Sequence, residues 1–157
     1  MCGISGIITT NKQPINPDWL NDMLKQISHR GTDGSAIHRF QNKNTHNPIN
    51  IGLAHSRLAI IDPTNGIQPM SIGHPDQPDV TIVFNGCIYN HQTLRQELIS
   101  FGANFKTDHS DTEVILHAYL KWGTSLTDHL KGMFSFGIWD HKQSNLLLAR
   151  DTAGEKP

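Results

Sequence analysis

The chain has 157 residues, a formal net charge of −1 from 13 basic and 14 acidic side chains, and two cysteines. That length fits one domain with a core of its own, and the near-balanced, scattered charge argues against nucleic acid or an anionic membrane and for a small molecule as partner. Cys2 and Cys87 are too few for a disulfide framework and too isolated for a CxxC metal knuckle, which suits a reducing cytoplasm; the apolar run 4–8 is too short for a signal peptide or a membrane span.

Residues 3–9 read as a buried strand that ends at a polar turn around Thr10, Asn11 and Lys12. Asn16 and Pro17 start a helix whose apolar residues Trp19, Leu20, Met23, Leu24 and Ile27 recur on one face, and it ends near His29-Arg30-Gly31. Residues 32–50 are polar and weakly periodic, mostly loop with a short strand at 37–40. Strand segments follow at 51–53 and 57–61, then a breaker-rich loop over 62–78 containing Gly66, Pro69, Gly73 and Pro75. Loops of that length usually border function. A buried strand over 80–84 runs into Asn85-Gly86, and Asn90 caps a helix with Leu94, Leu98 and Ile99 inward, ending at Gly102. Ser110-Asp111-Thr112-Glu113 has the capping-box pattern at the head of a helix through Val114, Ile115, Ala118 and Tyr119. Strands at 133–139 and 146–149 close the chain across a polar hairpin, with Phe134, Phe136 and Trp139 as packing. Helices and strands mix without a regular βαβ alternation, so the fold class is α+β.

The first residues carry chemistry of their own. An initiator methionine before a small residue is normally removed, and removal here leaves Cys2 with a free α-amino group. A thiol attacks only as thiolate, and at a reference pKa of about 8.5 few thiols are ionised at neutral pH. The α-amino group, with a reference pKa of about 7.7–8.0, can take the proton directly or through one water. Nucleophile and base would then share one residue. The ten histidines form no HExxH or comparable pair, and no metal is implied.

The motifs MCGISGI (1–7), HRGTDG (29–34), HSRLAIID (55–62) with QPM (68–70), NGCIYNHQTLR (85–95), SDTEVILHAY (110–119), GMFSFGIWD (132–140) and LLLARDTAGEKP (146–157) run the length of the chain. Together they resemble the N-terminal glutaminase domain of glutamine-hydrolysing asparagine synthetases, a class II glutamine amidotransferase. MCGI alone is common to the wider superfamily, and the later motifs point to the synthetase branch. The resemblance implies an N-terminal nucleophile hydrolase fold, a four-layer αββα sandwich. It implies that Cys2 attacks glutamine to give a glutamyl thioester and ammonia. Asn85 and Gly86 match an oxyanion hole, Arg57 a clamp for the substrate α-carboxylate, and Asp111 a partner for its α-ammonium. Leu58, Ala59, Ile60 and Ile61 would line the glutamine pocket by main chain, beside Cys87, while Arg30, Gly31 and Asp33 shape the nucleophile's surroundings. Each residue has a plainer reading too: Asn-Gly is a hairpin signal, although the apparent helix start after it argues against one; an arginine on a strand edge is often solvated; Ser110 and Asp111 are good helix caps.

Two positions depart from the family pattern. Thr32 stands where proline is common, and Cys87 where glutamate usually follows Asn-Gly, which removes a carboxylate beside the oxyanion hole. Residues 1–157 are expected to be a class II amidotransferase domain truncated at its C-terminal end, because the family continues with further strands and an ATP-using synthetase domain. No phosphate-binding loop or nucleotide fingerprint occurs in the sequence. ATP and Mg are therefore expected only in that missing domain or subunit, the ammonia acceptor, and a homodimer is a further expected assembly. Two other readings stay open: a class II amidotransferase with another acceptor, and a non-catalytic binding module.

Overall fold

The computed structural model describes residues 1–10, 14–41 and 49–157. Among these residues seven strands and three α-helices follow in the order β1 (Gly3–Thr9), α1 (Pro17–Ile27), β2 (Gly34–Gln41), β3 (Asn50–Arg57), β4 (Met70–His74), β5 (Gln77–Ile88), α2 (His91–Ser100), α3 (Asp111–Trp122), β6 (Gly132–Asp140) and β7 (Asn145–Arg150), with short 3-10 helices at Ser28–Arg30 and Gly123–Asp128. The strands form two antiparallel sheets, one in the order β1-β3-β2 and one in the order β4-β5-β6-β7.

Side-chain alternation decides how the layers stack. In β5, Val80, Ile82 and Phe84 point one way and join Phe134, Phe136 and Ile138 of β6 against the apolar faces of α2 and α3. Val83 and Trp139, with the opposite parity, meet Ile51 and Leu53 of β3 between the sheets. On the far side of the first sheet, Leu20 of α1 packs with Ile15 and Ala54. The layers therefore run α1, three-stranded sheet, four-stranded sheet, α2 with α3, which is the αββα order and α+β class expected.

Several local expectations differ. The polar turn expected at 10–12 extends into residues outside the described set. In α1 only Leu20 is fully buried; Trp19 and Met23 are exposed, because the helix meets the sheet over a stripe narrower than its apolar face. The expected short strand at 37–40 is the longer β2, paired along its whole length with β3. The two segments expected at 51–53 and 57–61 are one strand that stops at Arg57, and residues 58–61 are irregular. The loop expected over 62–78 contains β4, whose alternate residues Met70 and Ile72 pack on the main core. Asn85-Gly86 is neither a hairpin nor a helix start; both residues lie within the 12-residue β5, held in register by β6. The side chain of Asn90 does not cap α2; it binds the Lys131 N–H and the His129 carbonyl instead. Ile99 is exposed. The Ser110 to Glu113 capping box does not form: Ser110 makes no side-chain cap, and Glu113 turns to the Lys106 and Thr107 N–H groups and the Thr107 hydroxyl.

Candidate active site

Cys2 sits immediately before β1, at the end where β1 and β3 run together and Gly3 faces Ser56. Its Sγ lies 3.4 Å from the Leu58 N–H nitrogen and 3.5 Å from the Leu58 carbonyl oxygen. The HRGTDG loop grips this end from outside. Arg30 Nε donates to the Cys2 carbonyl at 3.4 Å, the Asp33 N–H to the Arg57 carbonyl at 2.9 Å, and the Ala59 N–H to Asp33 Oδ2 at 2.8 Å. Gly31 is needed for contact, since a Cβ there would stand 2.5 Å from the Ser56 and Arg57 backbone. Thr32, in the position where proline is common, donates its hydroxyl to Asp33 at 3.2 Å. The loop thus braces both Cys2 and the 57–59 segment.

Past β3 the chain folds over Arg57. Its guanidinium donates to the Asp62 and Pro63 carbonyls at 2.8 and 2.7 Å, using two of five N–H donors. Asp62 adopts a left-handed conformation at φ 46, which a short polar side chain tolerates, and its carboxylate receives the Asn65 N–H.

The opposite wall is the edge of β5. In an antiparallel ladder, alternate residues turn their N–H and C=O toward opposite neighbours. Phe84 and Gly86 face Phe136 and Phe134 of β6, and Phe134 spends its own N–H and C=O on Asp151. Gly86 therefore directs its N–H to the other edge of β5. The pairing of β4 with β5 ends at Met70 opposite Ile82, so it does not reach Gly86. Along this edge the Phe84 N–H goes to Gln68 Oε1 at 2.6 Å and the Ile88 N–H to Asp111 Oδ2 at 3.1 Å. The Gly86 N–H lies between them. A side chain at Gly86 is excluded, because a Cβ would lie 2.2 Å from the Met133 carbonyl and 2.8 Å from Phe134 Cα.

These walls enclose a cleft of about 180 Å³ lined by Cys2, Arg57, Leu58, Ala59, Ile60, Ile61, Asn85, Gly86, Cys87 and Asp111. Every site residue taken from the sequence as nucleophile, oxyanion donor or substrate contact lies on it. Leu58 through Ile61 line it from an irregular segment and not from a strand, with Ile60 70% exposed. The sequence reading gave no role to Gln68, Thr112, Met133 or Lys156, which also line the cleft. All four fell inside quoted motifs, Gln68 in QPM, Thr112 in SDTEVILHAY, Met133 in GMFSFGIWD and Lys156 in LLLARDTAGEKP, which was the available signal.

Electrostatics distinguish the walls. Burial pushes the Asp111 carboxyl up, and the Ile88 N–H and nearby His91 partly offset it. Burial also pushes the Cys87 thiol up, helped by Asp111 and opposed by Lys156, which favours the neutral thiol. Behind the cleft, burial drives the His55 imidazole down to about 4, against the opposing effect of its contact with the Phe84 carbonyl. The ring is neutral, and because a carbonyl only accepts, Nε2 carries the proton it donates at 3.3 Å.

The comparisons with known proteins agree with this architecture. Residues 1–157 match the family model for the glutamine amidotransferase domain. The chain is 39% identical over 158 residues to asparagine synthetase (glutamine-hydrolyzing) 3 of Bacillus subtilis, covering 100% of this chain and 24% of that protein. It is 38% identical to putative asparagine synthetase (glutamine-hydrolyzing) 2 of Methanocaldococcus jannaschii, covering 100% of this chain and 31% of the relative. It therefore spans about a quarter to a third of the length of these relatives. The solved glutamine phosphoribosylpyrophosphate amidotransferase of Bacillus subtilis superposes with a TM-score of 0.75 at 21% identity, covering 98% of this chain and 38% of that one, a likeness of fold. With a family match from end to end and the αββα sandwich to go with it, the chain belongs to the glutamine amidotransferase domain family.

Proposed function

We propose that this chain hydrolyses glutamine to glutamate and ammonia with Cys2 as the nucleophile, as the ammonia-releasing part of a glutamine-dependent asparagine synthetase. One observation carries the reading: Cys2, Arg57, Asn85, Gly86 and Asp111, drawn from four separate stretches of chain, line a single cleft. In the proposed reaction Met1 is removed, and the freed α-amino group takes the Cys2 thiol proton. The thiolate attacks the substrate's amide carbon. Negative charge gathers on the amide oxygen and is met by the Asn85 side-chain amide and the Gly86 N–H, donors carried by neighbouring residues of β5. Collapse of this intermediate breaks the C–N bond, the amine returns the proton to the departing ammonia, and a Cys2 thioester remains. Water hydrolyses the thioester to glutamate and restores the thiol. Arg57 holds the α-carboxylate and Asp111 the α-ammonium, whose positive charge keeps a buried carboxyl ionised.

The ammonia acceptor we infer is a synthetase domain or subunit that uses ATP and Mg to convert aspartate to asparagine; the likeness to asparagine synthetases of Bacillus subtilis and Methanocaldococcus jannaschii supports this choice. The two free thiols fit a reducing compartment such as the cytoplasm. Among the described residues no helix is long and apolar enough to cross a membrane.

Glutamate release by the purified chain, read beside its intact mass, tests the glutaminase step. The expected result is loss of Met1 and a turnover that Cys2→Ala lowers at least about a thousandfold. Equal turnover in Cys2→Ala, or an active enzyme that retains Met1, sinks the proposal. The acceptor is tested separately, by supplying amide-labelled glutamine, aspartate, ATP and Mg to the protein isolated from its own cells. Unlabelled asparagine would overturn that part.

A further inference from the structure

Gln68 lines the cleft and has no part in the steps above. It is 6% exposed, and both ends of its side-chain amide are used. Pro69 has no N–H with which to extend the ladder beyond Met70, so the edge of β5 is left without a strand beside Phe84. Gln68 Oε1 takes the Phe84 N–H at 2.6 Å, and Gln68 Nε2 donates to the Thr112 hydroxyl oxygen at 3.3 Å. One buried amide therefore ties the residue before Asn85 to the residue after Asp111.

Two side chains hold the edge of β5 on either side of the Gly86 N–H. On one side Gln68 holds Phe84 and is itself anchored to α3 through Thr112; on the other, Asp111 at the start of α3 holds Ile88 directly. We infer that Gln68 is a positioning residue for glutamine turnover, setting the distance between the oxyanion donors on β5 and the ammonium partner on α3. The inference rests on the glutaminase reading and deepens it. Glutamine is suited to the position because it offers an acceptor and a donor together. Methionine fills similar space and offers neither strong donor nor strong acceptor, and glutamate would bring a charge into a buried seat. Displacing a reacting group by about 1 Å can cost a hundredfold in rate.

The two ties predict different kinetic losses. In the purified full chain, Gln68→Met releases Phe84 and Thr112 together, and we expect kcat to fall at least tenfold and KM for glutamine to rise at least fivefold. Thr112→Val removes only the tie to α3, so KM should rise at least threefold while kcat falls less than twofold. Thr112→Ser keeps the hydroxyl and should restore KM. Melting curves accompany each variant, and should Gln68→Met not fold, the valine and serine variants carry the test. Thr112→Val with kcat and KM both within twofold of an active wild type overturns the inference alone, whether or not Gln68→Met folds. A Thr112→Val variant that loses kcat as severely as Gln68→Met and is not rescued by serine also overturns it, since that is general disruption. A wild type that releases no more glutamate than Cys2→Ala overturns the glutaminase reading, and this inference with it.

Discussion

Arg57 illustrates how one residue serves fold and site together. Two of its N–H groups pin the Asp62 and Pro63 carbonyls, while the residue remains on the cleft wall where the proposed reaction needs a carboxylate clamp. Lysine keeps the charge but cannot hold two carbonyls and a carboxylate with one planar fork. Arg57→Lys is therefore expected to raise KM for glutamine roughly tenfold and to leave kcat within about threefold. Steady-state kinetics decide it, and a fall in kcat at constant KM would speak against the clamp. At this scale residue type alone suggested a role for the cysteine after the initiator, whereas Arg57, Asn85, Gly86 and Asp111 were assigned from the resemblance of their motifs to the amidotransferase family, their residue types by themselves reading as a solvated cation, a hairpin and a helix cap. The two ties of Gln68 were not legible, because a glutamine's hydrogen-bond partners 16 and 44 residues away leave no mark on spacing.

Among the elements, α3 shows a familiar pattern put to another use. The S-D-T-E run reads as a capping box, yet the Glu113 carboxylate receives the Lys106 and Thr107 N–H groups and the Thr107 hydroxyl, at 2.8, 2.8 and 2.6 Å. Glu113 thereby fastens the loop before α3 to the helix. Burial alone would raise its pKa, but the His117 ring 3.7 Å away and these donors outweigh burial and hold it at about 2, against an ordinary 4.5. A depressed folded-state pKa stabilises fully above the unfolded value and loses that contribution as pH falls from about 4.5 through about 2. The size is on the order of 3 kcal/mol. Glu113→Gln has no charge to lose, so its melting temperature should lie below wild type near neutral pH, with the gap closing as pH is lowered toward 2. Thermal melts across that range check it; a gap that stays constant counts against the assignment. The strand β5 carries the same lesson. Its apolar alternation was visible over 80–84, but its continuation through Asn85, Gly86 and Cys87 to Ile88 depends on β6 supplying partners, which local propensity does not record.

For the molecule as a whole, the inter-sheet layer is thin: among the described residues Ile51, Leu53, Val83 and Trp139 form its buried cluster, with Ile4, Phe40, Ile49 and Leu146 partly buried against it. Both walls of the cleft depend on it, since Cys2 and Arg57 belong to one sheet's end and Asn85 and Gly86 to the other. Leu53→Ala should cost about 2–5 kcal/mol, with far-UV and near-UV circular dichroism falling together in urea because the sheets share this layer. Separated transitions would show that the sheets unfold independently. The sequence by itself determined the α+β class, the helices and most strands, because periodicity is a local property, and it named the principal cleft residues beyond Cys2 through the resemblance of its motifs to the amidotransferase family. Only the tertiary structure decided which edge of β5 faces the cleft, where β4 leaves it, and that Gln68 and Thr112 brace it. Those outcomes follow from strand pairing and buried hydrogen bonds between residues far apart in the chain, and each backbone group left by one strand had to find its partner in the folded molecule.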